Sequence, residues 1–368
     1  MEIAKDFKVN YDELQERHIQ LREKLNARSF TGEELENVLS DEMEKFEPWR
    51  HALMDQLGQI TSGFSQEEKK IHKQYIRQTT YHQIVQEAPF YWRIINKPNG
   101  YAGDAFLMDF IYKNRFEGET PFGKFLHKNA LKSHACQAVR NRKTFLKEQI
   151  LKTGSGKVLS LAAGSAQEIR DILNGPTREN FNFHALDHDM DTLTSFQDLS
   201  KKTNFNYFLA NAFQITSKKY NLASPRPMLQ QYCSPRRDFR GWRRLFIHLK
   251  YKLDCLKIQD YDLIYTAGLY DYIKTYLLNP SRGTIALTRN LFVDLLKPGG
   301  TLIVGNFTHH NPRDVRFAME YIYDWNVIYR NKEEMFDFVR DIPKEQIQDM
   351  ELLEEPLGIN CFLKITKK

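Results

Sequence analysis

The sequence predicts an α/β chain: a Rossmann-like, mostly parallel sheet preceded by a helical N-terminal domain. From Lys157 onward, short apolar runs alternate with helical segments, the order that builds a parallel sheet covered on both faces. Before that point, apolar residues recur at intervals of three and four within long charged stretches, with few Gly or Pro, which is a helical period. At the junction of the first apolar run and the segment after it stands a turn of small residues, Ala162-Ala-Gly-Ser-Ala166, the place where open α/β sheets take ligands.

The helical region runs from residue 1 to about 95, with Tyr11, Leu14, Ile19, Leu21, Leu25 and then Leu53, Leu57, Ile60 on the period. Thr31-Gly-Glu-Glu34 reads as a helix start, a capping Thr with acids in the first turn. Pro98-Asn-Gly100 breaks the pattern, and the loop Tyr101-Ala-Gly-Asp104 leads into a further helical run through Tyr112. Five strands are expected at Val158–Ala162, Phe183–Asp187, Tyr207–Ala210, Asp262–Thr266 and Thr301–Gly305, with two more around Glu351–Leu353 and Cys361–Ile365. Residues 217–257 hold eleven Lys or Arg against two Asp, with Tyr232, Phe239, Trp242 and Phe246 interleaved. They read as an insertion with an amphipathic helix around Trp242–Leu253. The expected division is a helical domain over 1–130, a cap for the substrate, and a sheet domain over 131–368.

Composition sets the bounds. The chain has 368 residues, 41% hydrophobic and 27% charged, with a net charge of +6. That supports a buried core and disfavours wholesale disorder. No apolar run approaches the roughly eighteen residues of a membrane span, and the N-terminus lacks the apolar core of a secretory signal. Cys136, Cys233, Cys255 and Cys361 form no CxxC pair, so neither a disulfide framework nor a zinc site is expected, and the cytoplasm is the default compartment. No metal-ligand spacing is present.

The turn after the first strand selects the ligand class. A dinucleotide site uses G-x-G-x-x-G so that a pyrophosphate can rest on backbone amides, whereas this turn has one glycine, Gly164, among Ala162, Ala163, Ser165 and Ala166. That disfavours NAD and suits a cofactor without phosphates; an unliganded tight turn is the alternative. Ser165 and Glu168 are spaced as a capping box. Asp187 ends the next strand some twenty residues on, where a carboxylate can accept from both ribose hydroxyls of an adenosine. Asn211-Ala-Phe213 closes the third strand, with a short amide suited to an adenine edge. Asp262-Leu-Ile-Tyr-Thr-Ala-Gly-Leu-Tyr-Asp-Tyr272 ends the fourth in small and then aromatic residues, and Leu295-Leu-Lys-Pro-Gly-Gly-Thr301 turns into the fifth.

Taken in order over residues 157–307, these segments resemble class I S-adenosylmethionine-dependent methyltransferases, from which the single glycine departs. The resemblance implies a seven-stranded sheet whose last two strands form an antiparallel hairpin, and S-adenosyl-L-methionine as cofactor. It implies cofactor contacts from Ala162, Ala163, Gly164, Ser165, Asp187, His188, Asn211, Ala212, Thr266, Ala267 and Gly268. Further segments are similar to the bacterial family that includes 3-hydroxypalmitate methyl ester synthases: Gly100-Tyr-Ala-Gly-Asp104, Ile111-Tyr112, Ala138-Val-Arg-Asn-Arg142, Gly268-Leu-Tyr-Asp-Tyr272, Gly305-Asn-Phe307, Asn311-Pro312, Asp324-Trp325 and Tyr329-Arg330. That resemblance implies methylation of the carboxylate of a fatty or hydroxy acid.

Individual roles follow. Arg142, with Arg140 as its neighbour, can clamp the methionine carboxylate bidentately. Tyr101 and Asp104 can fold over the cofactor, unless Asp104 only caps the helix from Ala105. A carboxylate acceptor is already anionic and needs no base; a hydroxyl or amine would need one, and Tyr272, Asp271, His309 and His310 are the candidates. The expected partner is a small, anionic acceptor. Methylation of RNA, suggested by the basic insertion, is disfavoured because Thr266-Ala-Gly-Leu269 stands where a base-amine methylase would carry Asn-Pro-Pro-Tyr. A binding module that retains the fold without catalysis is the remaining alternative.

Overall fold

The computed structural model describes residues 2–27, 32–196, 199, 202–219, 221–224, 252–256, 258–275 and 283–368. They divide into two compact units, one of Met1–Arg140 with His310–Asn326, the other of Asn141–His309 with Val327–Lys368. The division falls between Arg140 and Asn141, and the helical unit takes in a segment that follows the fifth core strand.

The helical unit holds α1 (Lys5–Asn26), α2 (Gly32–Thr61), α3 (Gln66–Arg77), α4 (Thr80–Ile84), α5 (Pro89–Asn96), α6 (Ala105–Lys113) and α7 (Pro121–Lys132). α1 buries Phe7, Tyr11, Leu14, His18, Leu21 and Leu25, one stripe at helical spacing. Thr31, read as the cap of α2, lies outside the described residues. The segment from His310 is held to α2 by an ion pair, Arg313 Nε to Asp55 Oδ1 at 2.9 Å, and by a hydrogen bond between His51 Nδ1 and Asp314 Oδ2 at 2.5 Å. Among the described residues no helix is long and apolar enough to cross a membrane.

The sheet unit follows α8 (His134–Lys152). Its strands are β1 (Gly156–Leu161), β2 (Phe181–Asp187), β3 (Phe205–Leu209), β4 (Asn221–Ser224), β5 (Lys252–Cys255), β6 (Tyr261–Thr266), β7 (Leu296–Phe307), β8 (Ile347–Glu354) and β9 (Asn360–Lys367). They form one sheet in the order β5-β4-β3-β2-β1-β6-β7-β9-β8. The five strands from β3 to β7 in that order run parallel, and β9 enters antiparallel between β7 and β8. Seven of the nine strands, β3-β2-β1-β6-β7-β9-β8, make the expected Rossmann-like sheet. It is extended at one edge by an antiparallel pair, β4 and β5, joined to β3 through Leu209↔Ala223. The sequence reading missed that pair because its two strands flank the basic run and look like part of it. Lys252 and Leu253, read there as the end of a helix, are strand residues; residues 225–251 of the insertion, including Trp242, lie outside the described residues.

Successive strand residues point to opposite faces, and here both faces are buried. Leu159, Leu161, Ile264, Leu302 and Val304 pack on one side with Leu287 and Leu291. Val158, Ala185, Leu263, Tyr265 and Ile303 pack on the other with Leu146, Ile150 and Ile169. α9 (Gln167–Leu173) supplies Ile169, and Leu287 comes from the helix Thr284–Asn290. Burial on both faces explains why the strands are continuous apolar runs rather than alternating ones.

Gly156 opens β1 with φ +137°, and a Cβ there would lie 2.6 Å from the Asp262 carboxyl carbon. That carboxylate accepts the Lys157 amide at 2.7 Å. Gly156→Ala is therefore expected to destabilise the fold by more than about 1 kcal/mol, read as a lowered urea midpoint; an unchanged midpoint would show that the strand start relaxes freely.

Candidate functional site

The carboxyl ends of β1, β2, β3 and β6 open onto a cleft of about 180 Å³. Ala162 follows β1, Leu186 and Asp187 end β2, His188 follows it, and Ala210 to Phe213 follow β3. Leu269, Tyr272 and Ile273, after β6, form the other wall. Position at the strand ends is what the doubly wound fold dictates for a ligand.

The crossover loop is unusual in its backbone. Ala162, Gly164 and Ala166 all have positive φ, +53°, +52° and +45°, a conformation that costs an alanine on the order of 1 kcal/mol. A Cβ at Gly164 would meet nothing within 4 Å. The loop is tied to β2 by the Gly164 amide, which donates to Asp187 Oδ2 at 2.9 Å. The other carboxylate oxygen accepts from the Asp189 amide at 3.1 Å and lies 3.3 Å from His188 Nδ1. The bond to Asp187 raises the His188 pKa above its ordinary value. Asp187 is buried, so its charge is held by these amides.

The capping box expected at Ser165 and Glu168 does not form. α9 begins at Gln167, and its N-cap is Ala166 in the left-handed conformation, with no side-chain cap bond. Glu168 turns inward instead and accepts from the Tyr265 hydroxyl at 2.6 Å; burial pushes its carboxyl pKa up. Ser165 Oγ is left buried with no hydrogen-bond partner, as is Thr266 Oγ1 at the end of β6. Asn211 caps the short helix Ala212–Thr216, its Oδ1 accepting from the Phe213 amide at 2.9 Å.

Beyond β6, Arg142 of α8 donates from Nη1 to the Ala267 carbonyl at 3.1 Å. Gly268 permits this approach, since a Cβ there would stand 3.0 Å from that nitrogen. The following turn is fixed by a buried network. Arg330, 1% exposed, donates to the Tyr270 carbonyl at 2.7 Å, to Asn306 Oδ1 at 2.5 Å and to the Ile273 carbonyl at 2.6 Å. Asp271, 2% exposed, accepts the Phe307 amide at 2.7 Å. Burial pushes Asp271 up to about 7, against the pull of that amide and of Arg142 and Arg330.

The structure thus gathers Ala162, Asp187, His188, Asn211, Ala212 and Tyr272 around one cleft. Ala163, Gly164, Ser165, Thr266, Ala267, Gly268 and Arg142 lie in the adjoining strand-end loops and α8. Tyr101 and Asp104 belong to the helical unit. There Asp104 takes the capping role: Oδ1 accepts the Leu107 amide at 2.8 Å, and Arg93 grips both oxygens at 2.6–2.9 Å. Tyr101 is half-buried on the same loop. Arg140 donates to the carbonyls of Ile111 and Leu131 at 3.2 and 3.0 Å, a structural role. His309 and His310 are exposed on the turn after β7, His309 with its ring 5.9 Å from that of Tyr329. Sequence reasoning missed Leu186, Ala210, Phe213, Leu269 and Ile273 as cleft walls, because apolar residues at strand ends carry no distinguishing signal. Among the described residues, no group of three His, Cys, Asp or Glu could hold a metal ion.

Because the folded pKa of Asp271 is raised above its unfolded value, the native state binds the extra proton between about pH 4 and pH 7, and this group's contribution to stability falls as pH rises through that window. Replacing it by an amide removes the titration. The stability of Asp271→Asn relative to the wild type is therefore expected to improve from about pH 5 to about pH 8, followed by thermal melts; a pH-independent difference would contradict the assignment.

A family model described as "Putative methyltransferase" matches residues 98–207. No curated protein is similar to this chain. Among solved structures, a possible exported protein from Bordetella parapertussis is 13% identical, with 89% of this chain and 96% of that one covered and a TM-score of 0.48. The CurJ carbon methyltransferase is 11% identical over 85% of this chain and 80% of that one, TM-score 0.46. The S-adenosylmethionine-dependent methyltransferase SibL is 11% identical over 81% and 73%, TM-score 0.39.

Proposed function

We propose that the chain is an S-adenosylmethionine-dependent methyltransferase whose acceptor is the carboxylate of a small molecule, a fatty or hydroxy acid. The observation that carries the cofactor assignment is the strand-end cleft with a buried carboxylate, Asp187, at its floor. The residues present fit an adenosine. Phe213 and Tyr272 line the cleft and are among the chain's exposed large side chains, so they offer flat faces to a base. Asp187 can accept from ribose hydroxyls. The volume lies below the roughly 300–1,000 Å³ of a site that encloses a drug-sized ligand, so it suits the nucleoside part alone. Arg142, beside Ala267 and Gly268, suits the methionine carboxylate.

When bound, S-adenosylmethionine supplies an electrophilic methyl on a sulfonium. The chain's own residues then need to orient and to exclude water, since a carboxylate oxygen displaces the sulfide without giving up a proton. Arg330 and Asn306 hold the turn at 270–273 rigid, and with it the position of Tyr272. The carboxylate reading is supported by where three of the four candidate bases lie: Asp271 is buried and already accepts an amide, and both histidines are exposed on a turn, which leaves Tyr272 alone in the cleft wall. Methylation of a hydroxyl or amine with Tyr272, His309 or His310 as base is the second reading.

Asp187→Ala is expected to weaken S-adenosylhomocysteine binding by on the order of tenfold to a hundredfold in calorimetry, and equal affinity would sink the cofactor assignment. With octanoate as acceptor, Tyr272→Phe is expected to leave the shape of the pH–rate profile unchanged, whereas a neutral acceptor served by that base would lose its titration in the variant.

A further inference from the structure

We propose that the helical unit carries a recognition site for an organic carboxylate, built on the buried guanidinium of Arg50. The site stands apart from the methyltransferase reading.

Arg50 lies on α2 and is 7% exposed. Its Nε is sealed from solvent and has no acceptor. Among the described residues, no hydrogen bond or ion pair satisfies this guanidinium. An arginine is buried only at a large cost unless it is paired, and Arg330 in the same chain meets that requirement with two carbonyls and an amide oxygen. Asp314 offsets this charge only from beyond pairing distance, so a buried guanidinium with no direct acceptor can take an anion from outside the chain.

The surroundings define which anion. Arg50 shares its electrostatic environment with His18, Tyr81, Tyr323 and Asp314. Burial lowers His18 to about 3, so its ring adds no second positive charge. Burial also holds the Tyr81 and Tyr323 hydroxyls well above the ordinary phenol range, so both remain neutral phenols. Tyr91 stands beside Tyr323, their rings 5.3 Å apart. The nearby carboxylate, Asp314, is committed to His51 at 2.5 Å and repels a second negative charge. One guanidinium, neutral phenols and a neighbouring acid suit a single delocalised negative charge. A carboxylate meets this description, with both oxygens able to face the guanidinium fork; a phosphate dianion does not. Leu53 and Met54, one turn along α2, are buried, so the setting is apolar, as an acyl carboxylate requires.

The test uses the full chain without S-adenosylmethionine and calorimetry with sodium octanoate, octanol and octyl phosphate. Octanoate is expected to bind, in preference to the other two. Arg50→Met should weaken octanoate by about tenfold or more while leaving S-adenosylhomocysteine affinity unchanged. Its ligand-free melting temperature should hold or rise, because an unpaired buried charge has been removed. Arg50→Lys should recover part of the affinity. If Arg50→Met does not fold, Tyr81→Phe serves instead, expected to lower octanoate affinity several-fold by loss of a donor. The proposal is overturned by a wild type that ignores octanoate, by equal octanoate affinity in the variants, or by tighter binding of octyl phosphate. Octanoate binding that survives in Asp187→Ala, whatever that variant does with S-adenosylhomocysteine, separates failure of this site from failure of the cofactor cleft.

Discussion

The hydrogen bond from the Gly164 amide to the Asp187 carboxylate is the constraint on which the candidate site depends. It joins the loop leaving one parallel strand to the end of the next, and it is available only because the loop backbone turns through left-handed conformations at Ala162, Gly164 and Ala166. The strain in two alanines is offset by a carboxylate that gathers backbone amides in a buried place. The same bond keeps the Asp187 charge at the cleft floor rather than in solvent. Without it, the strand ends would carry neither a shaped loop nor a fixed acceptor.

Two buried arginines show how differently one side chain can serve. Arg330 is satisfied by groups from the turn after β6 and from β7, so it acts as a rivet within the sheet unit. Arg50 has a comparable degree of burial and no such acceptors. The first arrangement stabilises a turn. The second is a standing liability for the fold, of the sort that persists at binding sites because replacing it would sacrifice recognition.

Much of the sheet was legible from sequence because burial on both faces leaves a mark: runs such as Val158-Leu-Ser-Leu and Leu302-Ile-Val have no polar alternation to confuse. Asp187 was legible because an acidic residue ending an apolar run stands out. The left-handed alanines were not, since only glycine advertises that conformation. β4 and β5 were hidden by the basic residues around them. Ser165 and Glu168 had the right spacing for a cap, yet Tyr265, distant in sequence, drew the glutamate inward. The network of Arg330 with Asn306 and the turn after β6 was beyond reach for the same reason, as pairings between remote segments leave no local trace.

The chain leaves the sheet unit after β7, spends residues 310–326 within the helical unit, and returns to complete β8 and β9. The helical unit is therefore stitched in at two places rather than appended at one end. A cut at residue 140 would not liberate a self-sufficient sheet unit. It would strip Arg313 and Asp314 of Asp55 and His51, leaving an orphaned excursion in mid-chain.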